Sequence, residues 1–196
     1  MSRVRTRLLR FGFGLALCAA GGNLAAAPFG IVQLMQSMAE SKPASATFSE
    51  TKYLAMLDKP VESSGELRFI PPNRLEKRTL KPKPEMLVLD GDQLQVERRG
   101  KKHVLQLANY PEIAGMVESI RATLAGDKAA LERVYRLDLR GGFNAWVLNL
   151  VPHDARVAGI VTRIRMEGAR DEVRRMEILL ADGDRSVMQI RPGIAP

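Results

Sequence analysis

The chain has 196 residues, 45% of them hydrophobic and 27% charged, which excludes a disordered polypeptide and fits one globular domain. Thirty Lys and Arg against 22 Asp and Glu give a net charge of +8. The excess is unevenly placed, because Arg3, Arg5, Arg7 and Arg10 precede every acid and the first acid is Glu40.

Those arginines lead into Phe11–Ala20, an apolar run without a polar face, followed by small residues ending in Ala25, Ala26 and Ala27 before Pro28. A basic start, a short apolar run and an Ala-rich end predict an export signal peptide over residues 1–27. The run is too short to span a bilayer, which takes about 20 apolar residues. Leu17 precedes Cys18 where a lipid-anchored cysteine needs a small residue, so no anchor is expected. Removing 1–27 takes away four arginines and no acid, leaving +4 over residues 28–196, a single domain without cysteine. Neither disulfides nor thiolate metal ligands are then available. No second stretch approaches spanning length, and a soluble monomer outside the cytoplasm is expected.

After the signal, Ile31, Leu34, Met35 and Met38 recur at helical spacing, and Ser41–Pro43 ends that helix. From Ala44 the period becomes two. Strands are predicted over 45–57, 62–70, 74–80, 86–89, 94–96 and 102–107, with Pro71–Asn73, Asp90-Gly91 and Arg99-Gly100 as turns. Ile113, Met116, Val117, Ile120 and Leu124 then form a helical stripe after Asn109 and Pro111 and before Gly126, with a further helical turn at 127–132. Alternation resumes over 134–139, 144–151, 159–167, 173–180 and 185–190. About eleven strands exceed what a flat open sheet carries, so a mainly β chain with a curling antiparallel sheet is predicted.

Chemical motifs are sparse. His103 falls in a strand and His153-Asp154 in a turn, and no nucleophile elbow, phosphate loop or metal-ligand spacing accompanies them. Asp90–Asp92 and Asp182–Asp184 read as hairpin turns rather than calcium loops. No enzyme activity, cofactor or metal is expected. Basic clusters at Arg74, Lys77, Arg78, Lys81, Lys83 and at Arg98, Arg99, Lys101, Lys102 read as a solvated strand face, or as attraction to anionic lipid or an acidic partner. Export and few aromatics argue against nucleic acid.

Several segments taken together resemble the LolA family of periplasmic lipoprotein carriers. They are Ala46–Glu50, Gly65–Leu75 with Pro72 inside it, Leu87–Leu94 with Asp90-Gly91, and Trp146–Pro152, with the helix at 111–124 where that family places its lid. The closer likeness is to a LolA-related branch rather than the lipoprotein carrier itself. The resemblance implies a half-open antiparallel half-barrel closed by lid helices, with a concave apolar cleft. Carried over position by position, it puts Phe48, Leu67, Phe69, Leu75, Val88, Leu94, Val96, Trp146, Leu148 and Leu150 on the cleft, and Ile113, Met116, Val117 and Ile120 on the lid. Core packing explains the same helical stripe equally well. Pro71 stands where those carriers place a latch arginine, Leu75 where an aromatic is usual, and Lys77 where a tryptophan is usual. The implied function is carriage of the acyl chains of a lipid or lipoprotein from a membrane donor toward an outer-membrane acceptor, in the periplasm. The alternative is a periplasmic regulatory module that binds a protein partner; such regulators add a second domain, which a chain ending at Pro196 is not expected to hold.

Cleavage is expected after Ala26 or Ala27, giving a thiol-free product. Intact mass of the exported protein checks this, and a product that retains Cys18 would overturn it.

Overall fold

A computed structural model describes residues 29–40 and 44–193; the predicted signal segment and the helix-ending Ser41–Pro43 lie outside them. Helix α1 (Ile31–Ala39) buries Leu34, Met35 and Met38, the stripe that its sequence spacing predicts. Six strands follow as a meander: β1 (Ala44–Tyr53), β2 (Val61–Ile70), β3 (Arg74–Lys81), β4 (Glu85–Asp90), β5 (Gln93–Arg98) and β6 (Lys101–Gln106). A 3-10 turn, Leu107–Asn109, leads into α2 (Pro111–Ala125) and α3 (Lys128–Glu132). A second meander comprises β7 (Tyr135–Gly142), β8 (Ala145–Pro152), β9 (Val161–Ala169), β10 (Glu172–Leu180) and β11 (Arg185–Pro192), with α4 (Ala155–Ala158) between β8 and β9.

The strands form one eleven-stranded sheet in the order β6-β5-β4-β3-β2-β1-β11-β10-β9-β8-β7. Every pairing is antiparallel. The two meanders meet at the centre, where β1 runs against β11 from Ala46↔Pro192 to Tyr53↔Arg185. The sheet is curved and unclosed, with β6 and β7 as its edges, and residues 107–134 carry the chain from one edge to the other across the concave face.

Three local features differ from the sequence expectation or sharpen it. Strand β1 stops at Tyr53 instead of continuing to 57; the chain turns there, with the Leu57 N–H donating to the Leu54 carbonyl, and Pro60 has no N–H to offer a ladder. The His153-Asp154 turn starts the unanticipated α4, because Asp154 Oδ1 accepts the Arg156 and Val157 N–H groups at 2.9 and 3.3 Å. The neighbouring His153 Nε2 lies 3.1 Å from the Glu132 carbonyl, so both side chains secure the turn. Arg99 and Gly100 both have positive φ, 53° and 72°, as a two-residue hairpin of primed type requires.

The closed core lies at one end of the concave face. Leu34, Met35 and Met38 of α1, Ala122 of α2, Leu131 of α3 and Val157 of α4 pack against Tyr135, Trp146, Leu148, Leu150, Val161, Ile164 and Met166 of β7–β9. Helix α2 turns a small-residue side to this core: Gly115, Ser119, Ala122 and Thr123 are all buried. Its buried hydroxyls satisfy themselves locally, Ser119 Oγ donating to the Met116 carbonyl and Thr123 Oγ to the Ser119 carbonyl, each at 2.7 Å. The helix ends on Gly126 in the left-handed conformation (φ 70°), and a Cβ there would lie 2.1 Å from the Met35 carbonyl oxygen.

Gly65, in the middle of β2, faces Phe48 across the ladder, and a Cβ at this position would sit 1.9 Å from the Arg78 carbonyl oxygen on β3. Backbone, not a movable side chain, blocks that space. Gly65→Val is therefore expected to lower the free energy of urea unfolding by about 2–4 kcal/mol. An unchanged urea midpoint would show that the β2–β3 contact is looser than described.

Candidate ligand cleft

Beyond the closed core, the concave face opens into a cavity of about 420 Å³ between α2 and strands β1–β4 and β9–β11. The helix contributes Met116, Ile120 and Leu124. Leu67, Leu75 and Leu87 come from β2, β3 and β4, and Met166, Val173, Met176, Ile178, Leu180, Met188 and Ile190 from β9–β11. Residues paired across an antiparallel ladder share a face, and the register carries one apolar row through this wall: Leu148, Met166, Met176 and Met188 stand side by side. The methionines suit a surface that meets irregular apolar partners, being unbranched and polarizable.

Of the cleft positions expected from sequence, Leu67 and Leu75 line the cavity, as do Met116 and Ile120 of the lid stripe. Ile113 and Val117 lie on α2, half-buried and outside the lining. Phe48 and Phe69 are buried on the concave face, and Leu94 and Val96 continue that face toward the β6 edge, opposite Leu89 and Leu87. Two expectations need correction. Val88 pairs with Glu76 and Gln95 and so stands on the opposite, convex face, because the register puts Leu87 and Leu89 inward. Trp146, Leu148 and Leu150 have the expected face but lie fully buried beneath the helices, inside the closed core. Sequence reasoning missed the contribution of β9–β11; the alternation of Met176 with Ile178 and of Met188 with Ile190 was the available signal.

One charged cluster interrupts the apolar wall. Glu50 of β1 has a side chain only 5% exposed. Its Oε2 accepts from Lys77 Nζ at 2.5 Å and Ser63 Oγ at 3.3 Å, and its Oε1 from Ser186 Oγ at 2.6 Å. Lys52 Nζ stands 3.7 Å from Oε1, and Lys77 Nζ also lies 4.8 Å from the centre of the Phe48 ring. A second, larger groove of about 1000 Å³ lies on the convex face among Glu66, Arg68, Glu76, Arg78, Glu97 and Arg99. Opposite charges pair along this face, Arg78 with Glu66 at 3.5 Å and Arg74 with Glu76 and Asp90 at 2.7 Å, so it is the solvated side of the ladder.

The family model for outer membrane lipoprotein carrier protein LolA-like chains matches residues 24–191. The chain belongs to this LolA-like family. An outer-membrane lipoprotein carrier protein of Leptothrix cholodnii is 36% identical over 92 residues, and that match spans 46% of this chain and 43% of the relative, less than half of either. Among solved structures, a LolA superfamily protein of Nitrosomonas europaea is 10% identical with a TM-score of 0.46, over 84% of this chain and 93% of that one. A lipoprotein-sorting protein domain from Vibrio parahaemolyticus is 11% identical with a TM-score of 0.47, over 85% and 92%. Among the described residues of this LolA-like chain, no helix is long and apolar enough to cross a membrane.

Lys77 of the LolA-like chain thus stands, as a cation, where the resemblance expects an aromatic. Burial pushes the Glu50 carboxyl up, but the charge and hydrogen bond of Lys77, the Ser186 hydroxyl and the Lys52 charge outweigh it, holding Glu50 below the ordinary carboxylate range. A carboxylate whose folded pKa is depressed contributes stability that is complete above its unfolded value and is lost as pH falls through the folded one. Stability should therefore fall as pH drops from the ordinary carboxylate range through the lowered folded value, and Glu50→Gln should make it less steep in pH across that window. Lys77→Met, which leaves Glu50 buried with one partner fewer, should cost about 2–4 kcal/mol at neutral pH, with most of the loss recovered in the double variant with Glu50→Gln. Urea titrations across acid pH measure both; equal and additive losses in the two single variants would contradict the pairing.

Proposed function

We propose that this LolA-like protein is a non-enzymatic periplasmic carrier. It holds the acyl or other hydrophobic chain of a lipid or lipoprotein in the cavity beneath α2 and moves it from a membrane donor toward the outer membrane. The observation that carries this reading is the roughly 420 Å³ cavity whose walls are apolar on both the sheet side and the helix side. Its size lies low in the range of about 300–1,000 Å³ typical of ligand sites, which suits one chain rather than several. Each buried methylene contributes about 0.8 kcal/mol, so a dozen supply on the order of 10 kcal/mol against the cost of capture.

The division of labour on α2 supports a lid. Its small side anchors it to the core, with the Tyr135 hydroxyl donating to the Gly115 carbonyl at 3.3 Å, while Met116, Ile120 and Leu124 face the cavity. The anchored face keeps the helix in place while the other meets cargo.

Nile red, an uncharged dye that brightens in apolar surroundings, should bind with a fluorescence increase and be displaced by long-chain lipids that are recovered unchanged. Leu75→Glu and Met116→Glu should each weaken binding tenfold or more, because a carboxylate on the wall must be desolvated when cargo enters. Both variants should still melt cooperatively within several degrees of the parent, since each new carboxylate can reach water in the empty cavity. If both fail to fold, these residues are ordinary core. If both fold and bind normally, the cargo lies elsewhere. Absence of binding in the parent itself would favour the partner-binding reading.

A further inference from the structure

The floor of the cavity is graded in polarity along β1 and β11. Lys52 pairs in register with Ser186, then Glu50 with Met188, then Phe48 with Ile190. One end is therefore charged and wet, with the Lys52 side chain 47% exposed, and the other is apolar and buried. A cargo with a polar head and one apolar tail has only one favourable direction in such a trough.

The hydrogen-bonding inventory of the polar end decides what the head can be. The buried acceptors are occupied: both oxygens of Glu50 take hydrogen bonds, from Lys77, Ser63 and Ser186. At the rim, Asp184 Oδ1 takes the Ala55 N–H at 2.7 Å. Arg185 is engaged with the Tyr53 ring at 4.3 Å and with Glu177 at 3.7 Å. The donors are not exhausted. Among the described residues, the nearest carboxylate to Lys52 Nζ is Glu50 at 3.7 Å, outside hydrogen-bonding distance. An ammonium carries three donors and no acceptor. A head that only accepts, and that bears negative charge, therefore completes this end, whereas a cationic head would meet the Lys52 ammonium and find both Glu50 oxygens already taken.

Resting on the reading of the cavity as a chain-binding site, we infer that the preferred cargo is a single-chain carboxylate, a free fatty acid. Its carboxylate sits at Lys52 and its tail runs over Leu67, Met188 and Ile190 beneath Met116 and Ile120. The head group is recognised by a hydrogen bond from a charged donor, which is stronger than one between neutral groups. Nothing in the recognition requires the thioether-linked glycerol of a lipoprotein head.

Displacement of Nile red by three competitors of equal chain length tests this. Palmitic acid, hexadecanol and hexadecylamine are compared below their aggregation limits. Palmitic acid should displace the dye at a concentration at least about tenfold lower than hexadecanol, and hexadecylamine should be the weakest. Lys52→Ala should reduce the advantage of the acid over the alcohol, read as the ratio of the two within that variant, to about threefold or less, and Lys52→Arg should keep most of it. A thermal melt and a direct Nile red titration of each variant establish its folding and its dye affinity, and the competitors are compared at matched dye occupancy. Equal displacement by acid and alcohol, or an undiminished preference in Lys52→Ala, overturns the head-group assignment while leaving the apolar cavity in place. Failure of Nile red to bind the parent overturns the cavity reading and this inference with it.

Discussion

An eleven-stranded sheet offers more apolar face than its helices can cover. At about 4.8 Å between strands the sheet is roughly 50 Å across, while a helix with its side chains is about 10–12 Å wide. The described helices have 9, 15, 5 and 4 residues, and they gather over β7–β9. Only α2 is long enough to reach past that core, and only with its edge. The cavity is the remainder: concave apolar surface that curvature encloses and the helices leave unfilled. Function, on this view, follows from a deficit of helix rather than from a specially built chemical site.

A deficit of packing has to be stabilised elsewhere, and the β1 centre of the sheet shows how. Glu50 is buried there with three hydrogen-bond donors and a second ammonium nearby. Such a cluster adds little net stability compared with an apolar replacement, but it is costly to disturb, because each member left alone is a desolvated charge. It ties β1 to β2, β3 and β11 at once, fixing register beneath the open space where side-chain interdigitation cannot. The same cluster makes that stretch of the wall polar.

Most of the architecture is legible in the chain because the apolar period switches cleanly between two and 3.6, and turn residues mark where. The site is less legible for reasons that differ by residue. Met86–Leu89 is apolar at every position, so its parity is set only by pairing with β3; that is why Val88 falls outside. Trp146, Leu148 and Leu150 point the expected way, yet whether a helix covers them depends on where residues 107–134 cross the sheet, which no local pattern encodes. In α2 the conspicuous stripe of large residues draws attention from Gly115, Ser119, Ala122 and Thr123, although close helix approach requires the small ones: a Cβ on Gly115 would meet Val157 at 2.4 Å. Glu50 alternates in phase with Phe48 and so faces inward, but an acid there is intelligible only once its partners on β2, β3 and β11 are known.

The pairing of the first strand with the last has a consequence in time. Ladders within each meander join residues close in the chain and can form early, but the Ala46↔Pro192 register spans almost the whole described chain. Contacts so distant are slow to form, since the intervening chain must first be brought into place. A polypeptide emerging from its amino end would therefore assemble β1–β6, then β7–β10, and hold β1 with an unsatisfied edge until the carboxyl-terminal strand arrives. Ser186, Met188 and Ile190 arrive with that strand, so the trough lacks half its floor before then. The last strand of the sheet to appear completes its middle, and until it is in place the cavity is open on that side.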